Sequence, residues 1–261
     1  MDKRELLDRV ASGEGERLLL SRVRDQYDRC QAKNIPAVTP FLSPQEQHAA
    51  RRLLQAMGVK EGFLFWGGYE GAERCQLHFL PDWMQEPDRE SIRALRCTWY
   101  RGDSLCHRDF LGSLMGLGIT REKIGDILVS AESADVLVSA QTAPLLLTQW
   151  DSAGRVKLHL EPLDLENIIV PEENTKEIRD TVSSLRLDSV ASVGFSVSRG
   201  KAAEAIRGGR VQLDWQECVK PDHMAAEGAV ITVRGLGKCK LETVGHETKK
   251  GRIFITMKRY L

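Results

Sequence analysis

Ser198-Arg199-Gly200-Lys201, then Ala202, Ala205 and Ile206, then Gly208-Gly209-Arg210, brings together residue types that hold phosphate. The three apolar residues share one face at helical spacing, so Lys201 and Arg207 lie off it. Ser198 is a helix-capping residue type. Arg199 falls in the first turn, where the helix dipole is positive and a cation is mildly unfavourable. A phosphate there would satisfy the cation, the free backbone N–H groups and the dipole together. Gly208-Gly209 lets the chain turn sharply and approach a ligand, and Arg210 and Lys220 add charge beside it. The plainer alternative is a solvated basic face.

A second group of this kind lies earlier. His107 and Arg108 open a predicted helix beside a strand end, and Arg121 and Lys123 follow that helix. These four make a candidate second phosphate site. The alternative is helix capping and internal pairing with Asp109 and Asp126.

Catalytic patterns fail when followed outward. His107-Arg108-Asp109 begins like a kinase catalytic loop, but Leu114 stands where the Asn belongs, and neither a Gly-rich phosphate loop nor Asp-Phe-Gly occurs. Ser198-Arg-Gly-Lys201 fits the S-x-x-K of penicillin-recognising enzymes without their other two motifs. The six cysteines are scattered and form no CxxC. Cys75-Gln-Leu-His78 and Cys106-His107 are each at most half of a metal site. No catalytic residue, metal or cofactor is expected, and the thiols read as buried and reduced.

The elements that must position these groups follow from periodicity. Residues 1–60 read as a helical N-terminal segment: Asp2 to Val10, Glu16 to Cys30, and a helix begun by Ser43-Pro44-Gln45-Glu46 that stops at Gly58. Residues 61–165 change period. Phe63 to Trp66 and Gln76 to Leu80 are short strands around Gly67-Gly68-Tyr69-Glu70-Gly71. Strand Ile92 to Tyr100, helix Asp109 to Leu117, strands Asp126 to Ser130 and Val136 to Ala140, helix Ala143 to Trp150 and strand Arg155 to Leu160 follow. That β-α-β-β-α-β order predicts a ferredoxin-like central domain. Residues 166–182, with polar Pro171-Glu-Glu-Asn-Thr-Lys-Glu, read as a linker. Residues 183–261 form a third unit: helix Arg186 to Val193, the Ser198 helix, then short strands ending in Arg252 to Tyr260. The fold class is α+β.

Composition sets the frame. The chain has 261 residues, 37 Lys and Arg against 37 Asp and Glu, and 42% hydrophobic residues. That is too apolar for a disordered chain, and no apolar stretch approaches the roughly 20 residues of a membrane span. The charged start, MDKRELLDRV, has no signal core, so a soluble cytoplasmic protein is expected, with no membrane partner and as a monomer. The zero net charge conceals an asymmetry: residues 183–261 hold 14 Lys and Arg against 8 Asp and Glu, whereas residues 61–182 hold 12 against 21. A basic terminal domain suits a polyanion.

Arg186-Leu-Asp, Gly194, Ser198-Arg199, Ala202, Ile206, Gly209-Arg210-Val211, Lys220-Pro221, Glu227-Gly228 and Ile231-Thr-Val-Arg234-Gly235 together resemble the S-four-type RNA-binding domain, the alpha-L module. The resemblance implies that its two helices and the following loop lie against structured RNA. Arg186, Ser198, Arg199, Lys201, Gly209, Arg210 and Lys220 fall at its RNA-facing positions. Two departures stand out: Leu213-Asp214-Trp215 replaces the frequent Val-Asn-Gly, and Gly228-Ala229 replaces Gly-Asp.

Further motifs narrow the family. Gly67-Gly-Tyr-Glu-Gly-Ala-Glu-Arg74, His107-Arg-Asp-Phe-Leu-Gly112, Gly116 to Ile127, and Thr248-Lys-Lys-Gly-Arg252 with Lys258-Arg259-Tyr260 resemble the YlmH family of bacterial and plastid proteins. The resemblance implies ribosome association: binding of ribosomal RNA and tRNA on the large ribosomal subunit, in quality control of obstructed peptidyl-tRNA. Two alternatives are carried. One is an RNA-modifying enzyme anchored by the same module, because Arg186-Leu187-Asp188 is similar to the catalytic triplet of pseudouridine synthases. Here, however, the triplet opens the module itself and has no second copy. The other is a cell-division or plastid adaptor.

Overall fold

Ser43 and Glu46 close a helix start from both sides. The Ser43 hydroxyl accepts from the Glu46 N–H at 3.4 Å, and the Glu46 carboxylate accepts from the Ser43 N–H at 2.7 Å, with Pro44 at the first helical position. The structure, a computed structural model, describes residues 3–172, 174–248 and 250–261. Asp2 of the expected first helix, Glu173 of the Pro171 segment and Lys249 of the 248–252 motif lie outside the described residues. The chain divides into two units, Met1–Pro171 and Glu172–Leu261.

The first unit begins with helices α1 (Lys3–Val10) and α2 (Glu14–Lys33), strand β1 (Ala37–Leu42), helix α3 (Pro44–Ala56), and strands β2 (Phe63–Trp66) and β3 (Cys75–Phe79). The 1–60 segment is therefore not wholly helical. β1 sits within it and pairs antiparallel with β3, giving a three-stranded sheet in the order β1-β3-β2. The two strands expected to open the central domain belong to this sheet instead. Pro40 conceals β1 in the sequence, because proline cannot donate to a ladder. The register shifts between Val38 and Phe41, and that irregularity accommodates it. Leu20, Leu53, Leu54, Leu77 and Phe79 join helices and sheet in one core.

The expected β-α-β-β-α-β order follows: β4 (Ile92–Thr98), α4 (His107–Gly116), β5 (Ile124–Val129), β6 (Ser133–Ser139) and α5 (Ala143–Gln149). The hairpin β7 (Ser152–Ala153) and β8 (Val156–Lys157) and then β9 (His159–Leu163) complete it. The sheet is antiparallel in the order β5-β6-β4-β9. The last strand is displaced from the expected Arg155 to Leu160, because residues 152–157 turn back as the hairpin. β9 carries Pro162, which an edge strand tolerates. Phe110 and Leu114 of α4 pack with Leu146 and Trp150 beneath this sheet.

The second unit is a six-stranded sheet under two helices. Its elements are β10 (Thr175–Val182), α6 (Leu187–Gly194), α7 (Arg199–Arg207), β11 (Val211–Leu213), β12 (Gln216–Glu217), β13 (Val230–Val233), β14 (Gly237–Glu247) and β15 (Ile253–Tyr260). The order is β10-β15-β14-β13-β11-β12. Much of the expected 166–182 linker is thus β10, paired from Thr175 with Tyr260 to Val182 with Ile253. It reads as polar because an edge strand keeps most of its residues in water. Leu187, Val190, Ile206, Ile231, Leu241 and Met257 are among the buried side chains of the core.

Among the described residues no helix is long and apolar enough to cross a membrane.

Candidate nucleic-acid interface

The first turn of α6 sets the site. Asp188 lies there, where a carboxylate suits the positive end of the helix. Its side chain is only 6% exposed, yet two arginines reach it. Arg186 donates from Nε and Nη2 at 3.3 and 3.2 Å, and Arg199, from the first turn of α7, donates from Nε and Nη2 at 3.1 and 3.2 Å. Burial raises the Asp188 pKa, but the hydrogen bonds from Arg186 and Arg199 outweigh it and hold the carboxyl below its usual range. The two arginine side chains stay 39% and 50% exposed. One carboxylate thus aims two cations outward and leaves a net positive charge.

This changes the reading of Arg199. Its charge is not waiting for a phosphate to neutralise it; Asp188 shares it with Arg186. Asp188 was visible as the third residue of Arg-Leu-Asp, but nothing local ties it to a residue in the next helix. Only the α6–α7 packing does so.

The remaining predicted residues gather around these two helices. The Ser198 hydroxyl caps α7, accepting from the Lys201 N–H at 3.3 Å. Gly209 has φ +66°, the left-handed turn that glycine favours, and Arg210 leads from it into β11. The segment after Lys220 is tied to the start of α6: the Leu187 N–H donates to the His223 carbonyl at 2.7 Å, and the Asp188 N–H to Pro221 at 3.0 Å. These bonds satisfy two of the free N–H groups of α6. They also bring Lys220, exposed, to the same end of the unit. Lys201 and Arg210 are exposed as well.

The second predicted group is built differently. His107 and Arg108 open α4, where the Asp109 carboxylate accepts from the Cys106 N–H at 2.8 Å and closes the helix start. Arg121 turns inward: its Nη1 donates to the carbonyls of Ile124 and Gly125 at 3.1 and 3.2 Å. Burial, and after it the Arg74 guanidinium, lowers its pKa to about 10. Burial and then Arg121 also lower that of His107. Asp126 is taken up elsewhere, accepting from the Tyr69 hydroxyl at 2.8 Å and from the Glu73 and Arg74 N–H groups at 2.7 and 3.0 Å. Among the described residues it makes no ion pair or hydrogen bond with His107 or Arg108, although its charge favours the protonated His107. Lys123 is exposed and lines a different hollow, alongside Gln76 and Asp88.

Cys75 and His78 lie three residues apart on β3, so their side chains leave opposite faces and cannot share a metal. Among the described residues no three His, Cys, Asp or Glu side chains come together as metal ligands.

Comparison with known proteins adds three family matches along the chain. Residues 16–82 match "YlmH, N-terminal", residues 101–167 match "Putative RNA-binding domain in YlmH", and residues 185–231 match the S4 domain. The last match spans α6, α7 and the 220–225 segment. A protein of Bacillus subtilis (strain 168), "Ribosome-associated protein quality control protein P2", is 35% identical over 225 residues, covering 85% of this chain and 86% of that one. Among solved structures, "Cell division protein ylmH from Streptococcus pneumoniae" is similar with a TM-score of 0.51 and 21% identity. That match covers 61% of this chain and 98% of the other, and is a likeness of fold.

Proposed function

Because the chain belongs to the YlmH family, we propose that it is a non-catalytic RNA-binding factor of ribosome-associated quality control. On this reading it holds ribosomal RNA and tRNA on the large ribosomal subunit, as a single copy, while peptidyl-tRNA is obstructed. The observation that carries it is the Arg186–Asp188–Arg199 cluster. A buried carboxylate fixes two half-exposed guanidinium groups, a planar donor set suited to adjacent phosphates. Ser198, Lys201, Gly209, Arg210 and Lys220 complete the contact. His107, Arg108 and Lys123 offer subsidiary contacts from the first unit, and Arg121 holds its own segment in place.

The cluster also decides which substitutions test the reading. A glutamate at 199 would face Asp188 and unsettle the fold, so the informative pair is Arg210→Glu with Lys220→Glu, both at exposed positions. Each phosphate contact contributes about 0.7–0.9 to the slope of log affinity against log salt, so the double variant should flatten that slope by roughly 1.5. Exposed changes usually move stability by less than about 0.5 kcal/mol, so its thermal melt should match the parent. The measurement is binding of the full chain to large subunits over a salt series. An unchanged affinity and slope, with an unchanged melt, would count against this face.

A further inference from the structure

In the second unit, α7 and the turn between β13 and β14 enclose a cup of about 480 Å³. Its wall is apolar: Phe195, Val197, Ala202 and Val233 face into it. Ala202 and Ala205 line it from α7 and are themselves buried in the unit's core, at 4% and 7% exposure. Phe195 is held by Arg259, whose guanidinium carbon lies 5.7 Å from the ring centroid and whose Nη1 donates to the Phe195 carbonyl at 3.4 Å.

Lys201, Arg210 and Arg234 also line the cup. Among the described residues, none of these three has a side-chain ion pair or hydrogen bond. The one carboxylate in the lining is Glu204, which is exposed. An apolar hollow ringed by three uncompensated cations and one acceptor calls for a ligand with a flat apolar body, a polar edge and attached negative charge. We propose that the cup takes one unstacked nucleobase bearing an exocyclic amino group. Its flanking phosphates lie on Lys201, Arg210 and Arg234, and its amino group donates to Glu204. This rests on the RNA-binding reading and names which part of an RNA the module would select: a base splayed from a loop or bulge, since a paired and stacked base cannot enter. Cytosine, adenine and guanine carry the amino donor. Uracil offers Glu204 only carbonyl oxygens on its edge, apart from one ring N–H between them, and would be rejected in proportion.

The test uses the full chain with short oligo(C), short oligo(U) and a blunt RNA duplex, each read by fluorescence anisotropy. Oligo(C) should bind about tenfold more tightly than oligo(U), within the range one discriminating contact supplies. Glu204→Gln should narrow that preference to less than threefold, because an amide can face either edge. Ala202→Leu should lower oligo(C) affinity about tenfold and leave duplex affinity alone. Equal binding of oligo(C) and oligo(U), or an Ala202→Leu protein that melts like its parent and keeps its oligo(C) affinity, overturns the cup.

Should Ala202→Leu fail to fold, photocrosslinking of 5-iodocytidine oligomers to the unaltered chain decides. Adducts within residues 195–211 or 233–236 support the cup, and adducts confined elsewhere overturn it. Competition by an acidic, phenylalanine-bearing peptide but not by oligo(C) would assign the cup to protein and overturn it as well. If the duplex and large subunits bind while the cup tests fail, only the cup falls. If no RNA binds, the RNA-binding reading falls with it.

Discussion

Asp188 and Asp126 are both buried carboxylates that gather donors, and they build opposite things. Asp188 collects two guanidinium groups whose side chains stay partly exposed. Asp126 collects a phenol and two backbone N–H groups, pinning the Tyr69–Arg74 loop, while neighbouring Arg74 and Arg121 direct donors to carbonyls of Phe41, Arg121, Ile124 and Gly125. The same buried charge thus holds two partly exposed arginines at a surface in one unit and locks a loop in the other. Counting arginines would not separate the two regions; following each guanidinium to its acceptor does.

The largest effect expected from this contrast is on the loop. Asp126→Asn removes a charge from three hydrogen bonds and turns an amide donor toward groups that need an acceptor. It should destabilise the first unit by about 3–4 kcal/mol. The salt slope of RNA binding, measured below the melt, should not move. A shifted slope would mean that the loop, too, presents cations to RNA.

Next comes acid. His78 is 1% exposed, neither ring nitrogen has a hydrogen-bond partner among the described residues, and burial lowers its pKa to about 4. The folded unit therefore favours neutral His78. That contribution is complete above the ordinary value near 6.5 and is lost as pH falls toward about 4, up to roughly 3 kcal/mol. Asp188 works in the other range: its contribution holds above the ordinary carboxylate value and is lost only as pH falls through its depressed folded value. Thermal melts from pH 7 to 4 should show the first unit softening before the second, and His78→Leu should flatten the first unit's profile. Simultaneous softening, unaltered by His78→Leu, would remove this distinction.

Asp188→Asn comes third. Breaking a buried pair costs about 3–5 kcal/mol, and the half-exposed guanidinium groups can recover part of this from water, so about 2 kcal/mol is expected for the second unit. RNA affinity should fall about tenfold, because two donors lose their aim. Retained affinity would mean that aim is unimportant. The smallest effect is at Arg121. Arg121→Gln should cost about 1 kcal/mol in the melt and change RNA affinity less than twofold. A tenfold loss would make Arg121 an RNA ligand and break the comparison.

What was legible in the sequence is what local chemistry decides. The Ser43 and Ser198 caps, α6 and α7, and the β-α-β-β-α-β order each follow from residue type and period, and each is present. β1 was not legible, because Pro40 argues against a strand unless an irregular register can be foreseen. β10 was not, because an edge strand in water carries a linker's composition. In the site, the cations themselves were legible, but their destinations were not. Arg199 and Asp188 meet across two helices, and Arg121 turns to carbonyls that only the folded sheet places beside it.

The pairing of β10 with β15 has a consequence for biogenesis. Among the described residues β10 joins the sheet only through β15, with Thr175 beside Tyr260 and Val182 beside Ile253. During synthesis β10 emerges early and has no neighbour to bond with until residues 253–260 have followed it out. The arginine cluster stands on helices whose sheet is still incomplete in that interval. The first unit, whose strands pair among themselves before residue 172, can fold while the second waits. The second unit is therefore completed last, by the pairing of its own two ends.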